Sequence, residues 1–352
     1  MYLSKLAERI TPYEAGEQPQ DKKYIKLNTN ENPYPPANGV KDVLEKFDID
    51  GLKLYSDPDN IRLKEAIAKV YGVEKGNVFV GNGSDEVLAM CFPAFFNRDG
   101  NGVAFADITY SFYPVYADLY EIKKNIIPLN EDFSLDTEAF RNTDAEGVVI
   151  ANPNAPTGIV LDKEEIESII IANGNKVVIV DEAYADFSNE SVVDLVGKYN
   201  NLIVVRTFSK SYSLAGIRCG YAIADHKLID GLDRIKNSFN SYTVNSMSEA
   251  VAREAVLDTE YHKKCVEKVI DTRERITDEL KRLGMTVLSS GANFIFAKHK
   301  EASGETLYST LKERGILVRY FNKARISDFV RITIGSDGEM DRLIEELKVI
   351  LK

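Results

Sequence analysis

Tryptophan is absent from this sequence, and cysteine and histidine occur only three times each. Each scarcity excludes something. Cys91, Cys219 and Cys265 are scattered and odd in number, so they build neither a disulfide framework nor a metal-ligand spacing. They read as small buried hydrophobes in a reducing compartment. His226, His262 and His299 also fall at no metal-ligand spacing. An enzyme this poor in histidine must move protons on another group, and lysine is the first candidate. Long apolar runs are missing too, since no segment approaches the roughly 18 apolar residues that span a bilayer. Residues 1–16, MYLSKLAERITPYEAG, hold no long apolar core and no small-residue cleavage site, so no signal peptide is expected. Positive charge is in deficit, with 44 Lys and Arg against 55 Asp and Glu for a net −11. That balance argues against general nucleic-acid binding but allows a local cationic pocket for one small anion. A soluble, cytoplasmic protein is expected.

The chain has 352 residues, 44% of them hydrophobic and 28% charged, the balance of a globular protein. Its length exceeds the usual span of one core and predicts two domains. Between about residues 60 and 225 helical spacing, as in IRLKEAIAKVYG (61–72), alternates with short apolar runs such as GVVIA (147–151), KVVIV (176–180) and LIVVR (202–206). This alternation predicts an α/β domain, a mostly parallel sheet covered by helices on both faces. After His226 the texture changes. Residues 246–283 read as one long or kinked helix, followed by strands at 293–297, 315–319 and 329–335 with helices at 303–314 and 337–351, a smaller α+β domain. The proline-rich first stretch reads as an arm and loops. The expected division is an arm over 1–45 packing with the small domain, a large cofactor-binding domain over 46–245, and a small C-terminal domain over 246–352.

Ligands of open α/β sheets lie beyond the carboxyl ends of the strands, so the first polar residues after each apolar run carry the information. They are NPNAPTG (152–158), DEAY (181–184) and TFSK (207–210), with GNGSDE (81–86) at a strand-to-helix turn. The helix start at Ser84 presents free N–H groups that suit a phosphate. Thr207 and Ser209 add hydroxyls, and Arg218 adds a planar cation. Asp181 is a carboxylate at the end of a buried strand and needs a cationic or hydrogen-bonding partner. Tyr184 and Lys210 bring a phenol and an amine. Together these groups suit pyridoxal phosphate. Lys210 would form the Schiff base, Asp181 would keep the pyridine nitrogen protonated, and the cradle would hold the phosphate. GNGSDE lacks the third glycine of a dinucleotide fingerprint, which argues against a nicotinamide enzyme. Adjacent Ser209 and Lys210 do not have the S-x-x-K spacing of a serine hydrolase.

On TPYEAG (11–16), LNTNENPY (27–34), LYSDP (54–58), GNGSDE, ITYSFYPVYA (108–117), NPNAPTG, VDEAYADF (180–187), RTFSKSYSLAGIRCGY (206–221) and RITIG (331–335), the chain resembles the fold-type I pyridoxal-phosphate enzymes. Within them it resembles the histidinol-phosphate aminotransferases, nearly end to end. The resemblance implies that Tyr110 stacks on the cofactor ring. It implies that Tyr55 reaches the cofactor phosphate of a neighbouring subunit, hence a homodimer with shared sites. Tyr13 and Asn30 would belong to an arm closing over substrate, Arg331 would grip the α-carboxylate, and Arg319 would meet the substrate's own phosphate. Where the family usually has an asparagine facing the cofactor's ring oxygen, this chain has Ala155. Either Asn154 takes over, or Tyr184 carries that oxygen with less help. Asp85 matches a cofactor-site position, but its carboxylate would repel a phosphate, so capping its own helix is the expected role.

The implied reaction is a two-stage amino transfer. Glutamate gives its amino group, leaves as 2-oxoglutarate, and an imidazole-acetol phosphate then receives the group as histidinol phosphate, with Lys210 moving the proton. A decarboxylase of a phosphorylated amino acid such as threonine phosphate, and an aromatic amino-acid aminotransferase, remain as alternatives on the same scaffold.

Overall fold

The computed structural model describes residues 2–188 and 190–352. In chain order the elements are α1 (Lys5–Arg9), β1 (Ile25–Leu27), α2 (Asn38–Glu45), α3 (Ile61–Tyr71), β2 (Val78–Gly81), α4 (Ser84–Phe95), β3 (Val103–Ala106), α5 (Phe112–Leu119), β4 (Lys124–Ile127), α6 (Thr137–Arg141), β5 (Gly147–Ala151), α7 (Lys163–Ala172), β6 (Val177–Asp181) and β7 (Leu202–Thr207). They continue with β8 (Gly220–Ala224), α8 (His226–Phe239), α9 (Ser246–Leu257), α10 (Thr259–Arg282), β9 (Met285–Val287), β10 (Phe294–His299), α11 (Gly304–Glu313), β11 (Ile316–Tyr320), β12 (Phe329–Thr333) and α12 (Asp337–Ile350). Short 3₁₀ turns join several of them.

The larger sheet runs β2–β8–β7–β6–β5–β3–β4. Strands β3 to β7 pair in parallel, while β8 lies antiparallel to both β7 and β2. β2 therefore points the same way as β7. The carboxyl ends of β2, β3, β5, β6 and β7, together with the start of β8, share one rim. Register fixes the row along it: Gly81 opposes Gly220, Gly220 opposes Thr207, Val205 opposes Asp181, and Asp181 opposes Ala151.

The central strands are apolar without a break because both faces are covered. Their two-residue period still shows in which core each side chain enters. Val148, Ile150, Val178, Val180 and Val204 join Leu63, Ile67 and Ile169 from α3 and α7 on one face. Val149, Ile179, Ile203 and Val205 join Leu88, Tyr113 and Leu232 from α4, α5 and α8 on the other. The expected α/β class, with helices on both faces, is the architecture found. A second sheet, β1–β11–β12–β10–β9, is antiparallel except for the β1–β11 pair. It packs Ile295, Val318 and Ile332 against Leu307, Ile276 and Leu343 of α11, α10 and α12.

Two expectations are corrected. The first 45 residues are not only arm and loops, because β1 hydrogen-bonds alongside β11 and extends the smaller sheet. Residues 246–283 are two helices, not one, broken at Asp258, whose side chain accepts from the Tyr261 N–H at 3.1 Å and caps α10. Val251, Ala252, Ala255 and Val256 of α9 pack with Leu63 and Ile67, so the core of the larger sheet continues past residue 245.

Candidate active site

A cavity of about 510 Å³ opens on the rim, between the larger sheet, the smaller sheet and the N-terminal arm. Asp181 is the last residue of β6 and Glu182 the next, so the two carboxylates face opposite ways. Glu182 turns away to pair with the buried Arg206 at 2.9 Å. Asp181 lines the cavity and is only 6% exposed. It accepts from Tyr113 Oη at 2.8 Å and from the Ala183 N–H at 3.1 Å. Burial pushes its carboxyl up to about 6, against these two hydrogen bonds and with help from nearby Asp85 and Glu182. A carboxylate kept this dry, with no cation beside it among the described residues, is poised to take one.

Lys210 follows β7 by three residues and reaches the same cavity, where its Nζ donates to Thr29 O at 3.1 Å and lies 5.7 Å from the Tyr184 ring centre. Thr207 and Ser209 form one turn, with the Ser209 N–H donating to Thr207 Oγ1 at 3.1 Å. Arg218 Nη1 reaches Ser209 Oγ at 3.4 Å. Ser84 starts α4 directly opposite, and the first N–H groups of that helix have no carbonyl partner within it. Glycine keeps this corner open. A Cβ at Gly83 would lie 2.7 Å from Arg218 Nη2, and one at Gly220 would lie 2.3 Å from Ser84 N. Free amides, two hydroxyls and a guanidinium converging on one open corner fit a phosphate.

Asp85 does not cap its helix. Its carboxylate takes Arg218 Nη2 at 3.0 Å and the Tyr110 hydroxyl at 2.7 Å. Tyr110 lines the cavity, and burial holds its hydroxyl well above the usual range. Tyr13 stacks on Phe112 with ring centres 4.1 Å apart, which brings the arm over the cavity mouth. Burial raises the Tyr13 hydroxyl, opposed by Arg319 and Arg331. Arg331 projects from β12 with Nη2 donating to Asn28 O at 3.0 Å, while its buried Nε has no partner. Among the described residues no carboxylate pairs with it, and burial lowers its proton affinity. Arg319 donates to Glu14 O at 3.0 Å and Ala15 O at 3.2 Å, fastening the arm, and keeps an edge on the cavity.

Three expected positions stand elsewhere or act differently. Asn154 lies behind the wall, where its amide donates to Ile108 O at 2.9 Å and Thr157 Oγ1 at 3.0 Å and accepts from Thr109 Oγ1 at 2.8 Å. It is fully engaged and does not take the missing asparagine's place. Ala155 itself lines the cavity and packs with Tyr184, Phe294 and Ala292. Asn30 lines the cavity but is buried, and its amide is committed to Tyr184 and Thr333. Tyr55 is 84% exposed, stacked on Tyr242 with ring centres 4.6 Å apart, and does not line this cavity. Sequence reasoning overlooked Tyr113, which stands in the first turn of α5 with its N–H donating to Tyr110 O at 3.2 Å.

A seven-stranded, mainly parallel sheet with a lysine, a buried carboxylate and an anion corner on one rim is the arrangement of an aminotransferase. The chain belongs to the class I and II aminotransferase family, which its sequence matches over residues 22–347. Among individual proteins it is 52% identical to the histidinol-phosphate aminotransferase of Brachyspira hyodysenteriae over 352 residues, covering 100% of this chain and 99% of that one. It is 52% identical to the enzyme of the same name from Marinomonas sp., covering 99% of each. The solved histidinol-phosphate aminotransferase of Sinorhizobium meliloti, in complex with pyridoxal-5'-phosphate, superposes with a TM-score of 0.90 at 24% identity, over 99% of this chain and 97% of that one. The L-threonine-O-3-phosphate decarboxylase of Porphyromonas gingivalis shares the fold, at a TM-score of 0.80 and 22% identity over 93% of this chain and 99% of that one.

Proposed function

We propose that this protein is a pyridoxal-phosphate-dependent histidinol-phosphate aminotransferase that uses glutamate and 2-oxoglutarate as the second pair of substrates. The observation that carries the reading is the convergence in one cavity of Lys210, Asp181, the Ser84–Arg218 corner, Arg319 and Arg331, the two arginines having no carboxylate partner among the described residues. When bound, pyridoxal phosphate supplies an aldehyde that exchanges the amino group and a ring that draws electrons from the substrate's Cα. The chain does the rest. Ser84, Thr207, Ser209 and Arg218 would hold the phosphate, with Asp85 joined to that corner through Arg218. Asp181 would hold positive charge at the ring nitrogen, and Tyr110 and Tyr184, which line the same cavity, would contact the ring and its oxygen. Lys210 carries the proton removed from Cα.

Arg331 offers its guanidinium fork to the carboxylate of glutamate, which satisfies the unpartnered Nε. Arg319, at the mouth beside Tyr13, meets the phosphate of the second substrate. One cavity thereby serves two unlike partners in turn. Tyr55 stacks on Tyr242 in the open, and Leu54, Ile49 and Phe239, close to one or the other in sequence, are exposed as well, large apolar groups of the kind a second copy covers. On this reading the enzyme is a homodimer whose Tyr55 completes the partner's phosphate corner. A cytoplasmic location belongs to the same reading, with Cys91, Cys219 and Cys265 buried as free thiols.

The test is a visible spectrum of the loaded protein, titrated with glutamate and then with an imidazole-acetol phosphate. Glutamate should bleach the band and the acceptor should restore it. Lys210→Ala should abolish the resting band and cut turnover by at least about a hundredfold. Release of carbon dioxide from threonine phosphate without any oxo-acid acceptor would replace this reading with a decarboxylase.

A further inference from the structure

Ala155 lines the cavity with no side-chain donor to offer, and Asn154 turns its amide away to Ile108 O and Thr157 Oγ1. Tyr184 is left as the phenol on that side of the cavity. Its ring is clamped by Phe294, edge-on at 5.1 Å between centres, and by Ala155. Among the described residues its hydroxyl has one protein partner, Asn30 Nδ2 at 2.9 Å.

The direction of that hydrogen bond is fixed from behind. Thr333 Oγ1 accepts from the Asn30 N–H at 3.0 Å, and its own hydrogen goes to Asn30 Oδ1 at 3.0 Å. The amide oxygen is thereby assigned to Thr333 and the NH₂ to Tyr184. Tyr184 Oη must accept, and its hydrogen is left to point elsewhere. Asn293 Nδ2 holds the Asn30 carbonyl at 3.0 Å. The backbone of Asn30 has φ 59, a left-handed conformation that a non-glycine residue adopts at a cost. A buried, conformationally costly asparagine with all its polar groups engaged is a placed part, not a loop residue that happens to face inward.

We propose that Asn30, oriented by Thr333, is a positioning residue that sets the Tyr184 hydroxyl to donate to the cofactor's ring oxygen, offsetting the donor absent at Ala155. Donation from the amide polarises the phenol and strengthens its own outgoing hydrogen bond. The relay also joins two halves of the reaction. Thr333 and Arg331 stand two residues apart on β12 and so face the same side, one directing the phenol and the other facing the carboxylate.

This inference rests on the pyridoxal-phosphate reading above, and the experiment separates the two. The measured quantity is the pH midpoint at which the visible band of the cofactor-loaded protein changes form, for the parent, Asn30→Ala, Thr333→Val, Tyr184→Phe and Asn30→Ala/Tyr184→Phe. Weaker donation to the ring oxygen leaves the neighbouring imine nitrogen more basic, so Asn30→Ala should raise the midpoint by roughly half a pH unit or more. Thr333→Val should raise it by less, and Thr333→Ser should restore the parent value. In the Tyr184→Phe background the Asn30 substitution should have no further effect. An unmoved midpoint in Asn30→Ala, or an equal shift with and without the Tyr184 hydroxyl, would overturn the positioning role while leaving the cofactor in place. No visible band in the parent would overturn both. Thr333→Val keeps the shape of the side chain, so a folding defect in Asn30→Ala does not remove the test.

Discussion

Asp181 carries a cost that only a cation can remove, and that cost has a measurable pH signature. The unfolded carboxyl ionises near 3.9, whereas burial raises it to about 6 in the folded protein without cofactor. Between those values the native state holds a proton that the unfolded chain has released. Stability therefore falls as pH rises through the window, by on the order of 2–3 kcal/mol by the time both are ionised. Asp181→Asn has nothing to ionise. For the cofactor-free proteins, the stability of the parent minus that of Asp181→Asn should drop between about pH 4 and about pH 7 in denaturant titrations. Adding pyridoxal phosphate should return the loss to the parent and not to the variant. A difference that stays flat with pH would mean that Asp181 is solvated. Asp181 and Arg218 were legible as residues because each is the first polar group after an apolar run, and Lys210 because it closes the polar turn TFSK that follows β7. Asp85 was misread because its true partners, Arg218 and Tyr110, are remote in sequence, and the nearby amides of its own helix were the obvious candidates.

The turn from β2 into α4 shows how elements, rather than single side chains, make the anion corner. Gly81 and Gly220 face one another across the ladder, and β8 passes so close to the start of α4 that only hydrogen fits at position 220. Gly220→Ala would push a Cβ within 2.3 Å of Ser84 N and 2.6 Å of Gly83 C, both backbone atoms that cannot swing aside. The helix start must then move away from Arg218. The expected result is a loss of about 1–3 kcal/mol in stability and a larger proportional loss in cofactor affinity, read by equilibrium dialysis against the melting curve. A variant that melts earlier yet binds pyridoxal phosphate as tightly as the parent would show that the corner is not set by this contact. The parallel strands were readable in the sequence because burial on both faces leaves continuous apolar runs, and the order of polar residues after them placed the rim correctly. β1 was not readable. It is three residues long and gains its partners from β11, almost the whole chain away. The break at Asp258 was hidden for a similar reason: the residues around it keep helical periodicity, and only the N-cap hydrogen bond distinguishes two helices from one kinked helix.

At the scale of the whole molecule, a single chain leaves one region unfinished. Tyr55, expected at the site from the sequence, points out to solvent instead, stacked on Tyr242, and Leu54 and Phe239 are exposed as well. Exposing several large apolar groups together is costly for a protein that stays single, and a second copy would cover them. If Tyr55 serves the partner's site as proposed, each site draws Lys210 from one chain and Tyr55 from the other. A chain with Lys210→Ala and a chain with Tyr55→Ala are then each impaired in both of their own sites. Refolded together, they form hybrids in which one site carries both substitutions and the other carries neither. An equal mixture should recover roughly a quarter of parental activity per site, since half of the dimers are hybrids with one intact site of two. Recovery should follow the hybrid population measured by native mass spectrometry and vanish when the chains are mixed without exchange. A mixture no more active than the average of its two components would place Tyr55 outside the partner's chemistry, and the exposed face would need a different explanation.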